Sequence, residues 1–222
     1  MLRHAPWDVA GLRHGFLDGA ESAGEGWEPV LAAAGAPLPI VVPRQVHGTR
    51  VVNAVAGEEA RADGLAVARS GLLVGVVTAD CMPVLLVDRR RRIAAAVHAG
   101  WRGAAAGVLE TAVEHLRESF GTPAADLEAV IGPAITGSCY EVGPEVLDSF
   151  RARSGALTAT AWSERDGRPH LDLRDAARLL LGAAGVASVH TVGPCTACDR
   201  RYNSYRRDGA GTGRQLSFVG WE

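Results

Sequence analysis

The clearest pattern of apolar and polar positions lies in the middle of the chain. Met82-Pro83-Val84-Leu85-Leu86-Val87 is an unbroken apolar run, Asp88-Arg89-Arg90-Arg91-Arg92 interrupts it with charge, and Ile93-Ala94-Ala95-Ala96-Val97 resumes it. Apolar runs without polar alternation predict strands buried on both faces, and the charged stretch predicts a solvated turn, so the segment reads as a β-hairpin. Leu38 to Val42 and Arg50 to Val55 are further strand-like runs, and Leu38 to Val97 stays mostly strand-like with a break at Arg69 to Gly71. Beyond the hairpin the period changes. Val108, Leu109, Ala112, Val113, Leu116 and Phe120 form one stripe of a helix predicted over Ala104 to Phe120. A second helix opens at Pro144 and carries Val146, Leu147 and Phe150. A third follows Asp172 as N-cap, turns Leu173, Ala177, Leu180, Leu181 and Ala184 inward, and ends at Gly185. In the Gly- and Ala-rich segment 1–36 only a short helix, Glu28 to Ala34, is predicted.

Two stretches echo one another. Glu128-Ala129-Val130-Ile131-Gly132-Pro133 and Ser188-Val189-His190-Thr191-Val192-Gly193-Pro194 each follow a helix, read as strands, and open a loop carrying a cysteine, Cys139 or Cys195. The echo suggests an internal duplication. Strands and helices do not alternate strictly, so the pattern predicts an α+β fold with mixed β-sheet layers packed against helices. The 222 residues are expected to form one domain with a variable N-terminal segment at 1–36.

The hairpin has a chemical consequence. A turn centred on Arg89-Arg90 sets Cys81 opposite His98, and a looser four-residue turn shifts the partner by about two positions, still within cross-strand reach. A thiol and an imidazole are thus presented together at the open end. Such a pair either ligates a zinc-type metal, catalytic where a third ligand leaves one position open, or acts as a cysteine nucleophile with its histidine base. His47, in Gln45-Val46-His47-Gly48 between two strand-like runs, is the best candidate for the third ligand.

Composition narrows the choices. A net charge of −2 gives no electrostatic case for nucleic-acid or membrane binding. All 23 basic residues are arginine, which excludes lysine Schiff-base chemistry and a Walker-type phosphate loop. Four cysteines are too few for a disulfide framework at this length. The opening MLRHAPWDVAG lacks the basic-then-apolar pattern of a signal peptide and no apolar stretch is long enough to span a bilayer, so a cytoplasmic location is expected.

The motifs RQVHG, ADGL, TADCMPVLLVD, VHAGWRG, IGPAI followed by CYEVG, and SYRRDG together resemble the YfiH or laccase-domain family, also called multicopper polyphenol oxidases, across Leu38 to Trp221. The resemblance implies a layered α/β fold likened to toxin-type cysteine hydrolases. It also implies a zinc ion, or alternatively copper, on the residues matching His47, Cys81 and His98. The implied activities are phosphorolysis of adenosine, inosine and methylthioadenosine and hydrolytic deamination of adenosine, so the expected partners are a nucleoside and phosphate. A polyphenol-oxidase label and a role in peptidoglycan editing also attach to the family. The chain departs from the family pattern at Arg13-His14-Gly15-Phe16, where an aromatic-Ser-Thr-Arg and a Gly-rich loop are usual, and at Tyr202-Asn203, where paired Phe is usual. Both departures bear on substrate choice.

Within that frame, Asp80 is either a proton-shuttling acid or a loop residue capping backbone N–H groups, and Asp63 reads as an Asp-Gly turn residue. Phosphate calls for arginine, with Arg206 and Arg207 leading and Arg44 and Arg102 behind them. Tyr140, Tyr205 and Trp101 can offer a flat face to a purine, Trp101 equally being core. Cys195-Thr196-Ala197-Cys198 lacks the second pair a structural zinc needs, so reduced cysteines supporting the site are expected. Cys139 reads as structural. A laccase needs many more histidines than three ligands supply.

Overall fold

The computed structural model describes residues 1–23, 26–55, 57–154 and 158–222. Its strands are β1 (Leu12–Phe16), β2 (Ile40–Val41), β3 (Val51–Asn53), β4 (Gly64–Val67), β5 (Leu72–Thr78), β6 (Met82–Asp88), β7 (Ile93–Ala99), β8 (Glu128–Ile131), β9 (Trp162–Arg165), β10 (Arg168–Leu171), β11 (Ser188–Thr191) and β12 (Gln215–Trp221). The helices are α1 (Glu28–Ala33), α2 (Trp101–Ala106), α3 (Val108–Phe120), α4 (Pro144–Ser154), α5 (Leu173–Ala183) and the one-turn α6 (Tyr205–Asp208). A six-stranded sheet has the order β11-β8-β6-β7-β4-β3, a four-stranded sheet the order β1-β12-β5-β2, and β9-β10 form a separate hairpin. Parallel pairs (β11–β8, β2–β5, β3–β4) sit beside antiparallel ones, so the fold is α+β with mixed sheets.

Side-chain alternation explains the layering. On β6, Met82, Val84 and Leu86 face a core built with α2, α3, α4 and α5, while Leu85 and Val87 face Val74, Val76, Val219 and Trp221 of the four-stranded sheet. The outer side of that smaller sheet, Leu73, Leu216 and Phe218, is closed by Leu31 of α1 and by Leu17. The order of layers is helix, sheet, sheet, helices. β6 and β7 lie in the middle with every residue buried, which is why their sequence shows no alternation.

Three expectations need correction. The helix predicted over Ala104 to Phe120 is two helices: Gly107 adopts a left-handed φ of 101° between α2 and α3. The 1–36 segment contains a strand, since β1 pairs with β12 from Leu12↔Trp221 to Phe16↔Ser217. The partner lies at the other end of the chain, and a five-residue strand containing Gly15 has little local signature. The hairpin turn is the looser one. Asp88 pairs with Ile93 across Arg89–Arg92, so His98 opposes Pro83 and Cys81 stands one step beyond the Met82↔Ala99 pair.

The turn arginines are more engaged than a solvated run. Arg89 binds Glu128, Arg91 binds Asp88 and Asp126, and Arg92 covers the Trp221 ring at 5.1 Å. Among the described residues no helix is long and apolar enough to cross a membrane.

Candidate metal centre and active site

Three segments meet at the open end of the β6–β7 hairpin. Cys81 precedes β6, His98 sits near the end of β7, and His47 lies on the loop between β2 and β3. One ligand atom from each lies within 4.8 Å of the others. The His47 and His98 rings meet edge to face at 4.8 Å between centroids. His98 is buried, Cys81 half-buried and His47 exposed, so the group opens to solvent on the His47 side.

Asp63 holds the arrangement, and this is the largest correction to the sequence reading. It is no simple turn residue. Its carboxylate is fully buried and accepts from His98 Nδ1 at 2.8 Å. The same carboxylate accepts the backbone N–H groups of Val46 (3.2 Å), His47 (2.9 Å) and Gly48 (2.7 Å). One anion therefore orients the imidazole of one histidine and folds the loop that carries the other. His47 has a left-handed φ of 59°, and these N–H bonds keep it there. Burial pushes the Asp63 carboxyl up, but the bonds from His98, Gly48 and His47 outweigh it and leave it below the usual carboxylate range. An ionised Asp63 only accepts, so His98 Nδ1 carries the proton and Nε2 is left facing Cys81. A signal existed in the sequence: a carboxylate leading into the apolar Gly64–Val67 strand is buried and must have partners.

The electrostatics follow from this packing. Burial raises the Cys81 thiol, yet hydrogen bonds from His47 and His98 prevail and bring it down to about 6. Burial lowers His98, but the bonds to Asp63 and Cys81 prevail and raise it to about 9. Gly100, the residue facing Cys81 after the end of β7, has a steric role: a Cβ there would stand 3.0 Å from Cys81 Sγ and 3.2 Å from His47 Cδ2.

The remaining candidates divide. Cys81 and Asp80 add to the rise that burial gives the Tyr140 hydroxyl, and Arg206 and Arg102 oppose it. Tyr140 itself is raised far above its ordinary value, chiefly by burial. Arg206 lies over the Tyr140 ring at 5.0 Å and donates to the Glu141 carbonyl at 2.9 Å, so that face of the ring is covered rather than free for a purine. Arg102 stacks on Trp101 at 4.3 Å. Arg44 is exposed and its guanidinium has no hydrogen-bond partner among the described residues. Tyr205 is exposed at the first turn of α6, where a loop was expected.

Asp80 and Arg207 are engaged elsewhere. The Asp80 carboxylate accepts from Thr196 Oγ1 at 2.6 Å and from the Arg206 backbone N–H at 2.7 Å, the capping arrangement, with φ at 88°. Arg207 donates to the Thr196, Ala197 and Tyr202 carbonyls and to both Asp208 oxygens, which uses all five of its N–H groups. No donor remains for phosphate.

A second convergence went unforeseen. Cys139 joins Cys195 and Cys198, again within 4.8 Å, although no sequence spacing linked it to the Cys-x-x-Cys pair. Both groups have a donor set and spacing that can bind a metal.

Fold and donors together define a layered α+β protein with a two-histidine, one-cysteine centre at a hairpin mouth. The chain belongs to the multi-copper polyphenol oxidoreductase laccase family, whose pattern it matches over residues 3–222. It is 45% identical over 177 residues to a purine nucleoside phosphorylase of Pseudomonas aeruginosa, covering 79% of this chain and 71% of the relative. It is 36% identical over 197 residues to the adenosine deaminase RL5 of an unknown prokaryotic organism, covering 81% of this chain and 74% of that one. The crystal structure of YlmD from Geobacillus stearothermophilus superposes with a TM-score of 0.87 at 28% identity, covering 99% of this chain and 94% of that one.

Proposed function

We propose that this chain is a zinc-dependent purine nucleoside enzyme, catalysing phosphorolysis of adenosine, inosine and methylthioadenosine and hydrolytic deamination of adenosine. The observation that carries the reading is the convergence of His47, Cys81 and His98 with the His98 ring locked by Asp63. The donor set suits zinc: two imidazoles and a thiol already pulled toward thiolate, with the orienting carboxylate that ligating histidines commonly have. Zinc on three protein ligands supplies Lewis acidity and a water-derived nucleophile at neutral pH.

The other roles fall to the chain's own groups. Arg206 is exposed and gives only two of its N–H groups to the Cys139 and Glu141 carbonyls, and Arg102 is exposed; these two, with Arg44 behind them, are the phosphate-binding residues of this reading. Tyr140, whose hydroxyl stays protonated at neutral pH, donates a hydrogen bond to the departing purine nitrogen. Asp80 anchors Thr196 and the start of α6 rather than carrying a proton. The curated relatives' names support both activities, being purine nucleoside phosphorylase and adenosine deaminase.

A second reading has one observation in its favour. Cys81, His98 and Asp63 form a thiol–imidazole–carboxylate line suited to a cysteine hydrolase, as in peptidoglycan editing. A copper-dependent polyphenol oxidase is less well supported, because the centre has two histidines and laccase chemistry requires several times that number. Incubating the purified protein with adenosine and phosphate, before and after chelation, separates the readings. Phosphate-dependent adenine release and inosine formation, both lost on chelation and restored by zinc, are expected. Amide hydrolysis that survives chelation but is lost in Cys81→Ser would instead establish the hydrolase, and phenol-dependent oxygen uptake restored only by copper the oxidase.

A further inference from the structure

Cys139, Cys195 and Cys198 take no part in the first centre, and the topology explains why they meet. β8 and β11 run parallel in register, Glu128 beside Ser188 and Ile131 beside Thr191. The Gly132-Pro133 and Gly193-Pro194 pairs that end them therefore leave the sheet side by side. The exit loops are joined by the bridge between Ala134 and Cys195, with the Thr196 N–H on the Ala134 carbonyl at 3.2 Å. Cys195 to Cys198 then turns tightly, the N–H groups of Cys198 and Asp199 both donating to the Cys195 carbonyl. The result is a Cys-x-x-Cys knuckle facing a third cysteine from the neighbouring loop.

The cluster is closed on one side and open on the other. Cys195 is buried and its sulfur accepts the Thr136 N–H at 3.4 Å. Cys139 is half-buried, Cys198 is exposed, and Ser138 Oγ lies 3.7 and 4.0 Å from their sulfurs. All of these cysteines are free, with Cys139 and Cys198 sulfurs 2.8 Å apart. A disulfide would employ two sulfurs and leave the third, the one held by a backbone N–H, without purpose. A cation employs all three. Zn–S bonds of ~2.3 Å put tetrahedral ligand sulfurs about 3.8 Å apart, so Cys139 and Cys198 need part by only about 1 Å. The exposed Cys198 side chain has room to do this.

We propose that Cys139, Cys195 and Cys198 form a second, all-thiolate site for a closed-shell thiophilic cation, Zn2+ or Cu+, with its fourth position toward solvent. Each ligating thiol releases its proton to water and no electron is transferred. The site clips together two loops that wall the first centre. Thr196, adjacent to Cys195, donates to Asp80, and Tyr140, adjacent to Cys139, lies beneath Arg206. The inference does not depend on what the first centre catalyses.

The test is titration of reduced, metal-free Cys81→Ser protein with Cd2+, following thiolate-to-metal charge-transfer absorption and free thiols. One equivalent with a thiolate band and concurrent protection of Cys139, Cys195 and Cys198 from alkylation is expected, and Cys198→Ser in that background should abolish both. Peptide mapping of alkylation in the unsubstituted chain reports the same protection without relying on a variant's folding. Competition with a zinc dye and with a Cu+ chelator then identifies the cation. Absence of Cd2+ uptake in Cys81→Ser, or a Cys139–Cys198 disulfide in protein isolated from a reducing lysate, would overturn the proposal.

Discussion

His98 Nδ1 and Asp63 Oδ1 lie 2.8 Å apart, with both side chains sealed from solvent. A neutral imidazole has one N–H; committing it to Asp63 leaves the other nitrogen as the only lone pair, and that nitrogen faces Cys81. Asp63→Asn keeps the shape but can present N–H groups to donors, either to His98 or to the Val46–Gly48 amides. Zinc affinity should fall about 10- to 100-fold, with activity falling in parallel. Competition with a zinc chelator measures this, and an unchanged affinity would remove Asp63 from the site.

Gly100→Ala probes crowding alone, because the Gly100 φ of −74° suits any residue. The added methyl must displace Cys81 Sγ or the His47 ring by a few tenths of an ångström. We expect a stability loss of about 1–3 kcal/mol and a larger proportional loss of metal affinity. Denaturation and metal titration of the same sample compare the two, and wild-type affinity would show that the ligands accommodate the methyl.

Arg206 and Arg207, adjacent in sequence, should separate in their effects. Arg207→Ala removes a guanidinium tied to three carbonyls and Asp208, and should cost about 2–3 kcal/mol of stability. Arg206→Ala should leave the fold largely intact while raising KM for phosphate about tenfold or more and sparing deamination. Thermal unfolding and the two assays, run on both variants, check the pairing; the reverse pattern would return Arg207 to the binding site.

His14 should make the protein acid-sensitive away from the His47–Cys81–His98 centre. Burial holds it at about 4, against an ordinary 6.5, and its Nε2 accepts the His4 N–H at 3.0 Å. The unfolded chain thus binds a proton more readily than the folded one between these values. The stabilisation is fully present above pH ~6.5 and is lost as pH falls toward 4, about 2 kcal/mol of it by pH 5. His14→Gln, which can still accept the His4 N–H, should flatten that part of the denaturation-versus-pH curve. An unchanged slope would show that His14 titrates normally.

Much of the fold was legible because its signals are local. Asp172 caps α5 through the Arg174 and Asp175 N–H groups, Pro144 starts α4, and the uninterrupted β6 and β7 runs mark strands covered on both sides. The β9–β10 hairpin has little sequence signature despite its Asp166-Gly167 turn, because its strands are short, bury only Leu171 and carry no apolar rhythm. β1 and β12 lack a local signature for a different reason: β1 joins its sheet only through β12, and β12 lies between β1 and β5, partners far away in the sequence.

From residue types and spacing alone came the layered α+β class, the hairpin, and the idea that Cys81, His98 and His47 belong together. Tertiary structure alone decided that Asp63 is a buried clamp rather than a turn residue, that carbonyls and Asp208 consume every Arg207 donor while the Cys139 and Glu141 carbonyls take only part of Arg206, and that Cys139 meets the Cys195–Cys198 knuckle. The reason is common to all three. A side chain's chemistry is written in its type, but its partners are set by which distant strands lie side by side, and parallel neighbours such as β8 and β11 leave no trace in local sequence spacing.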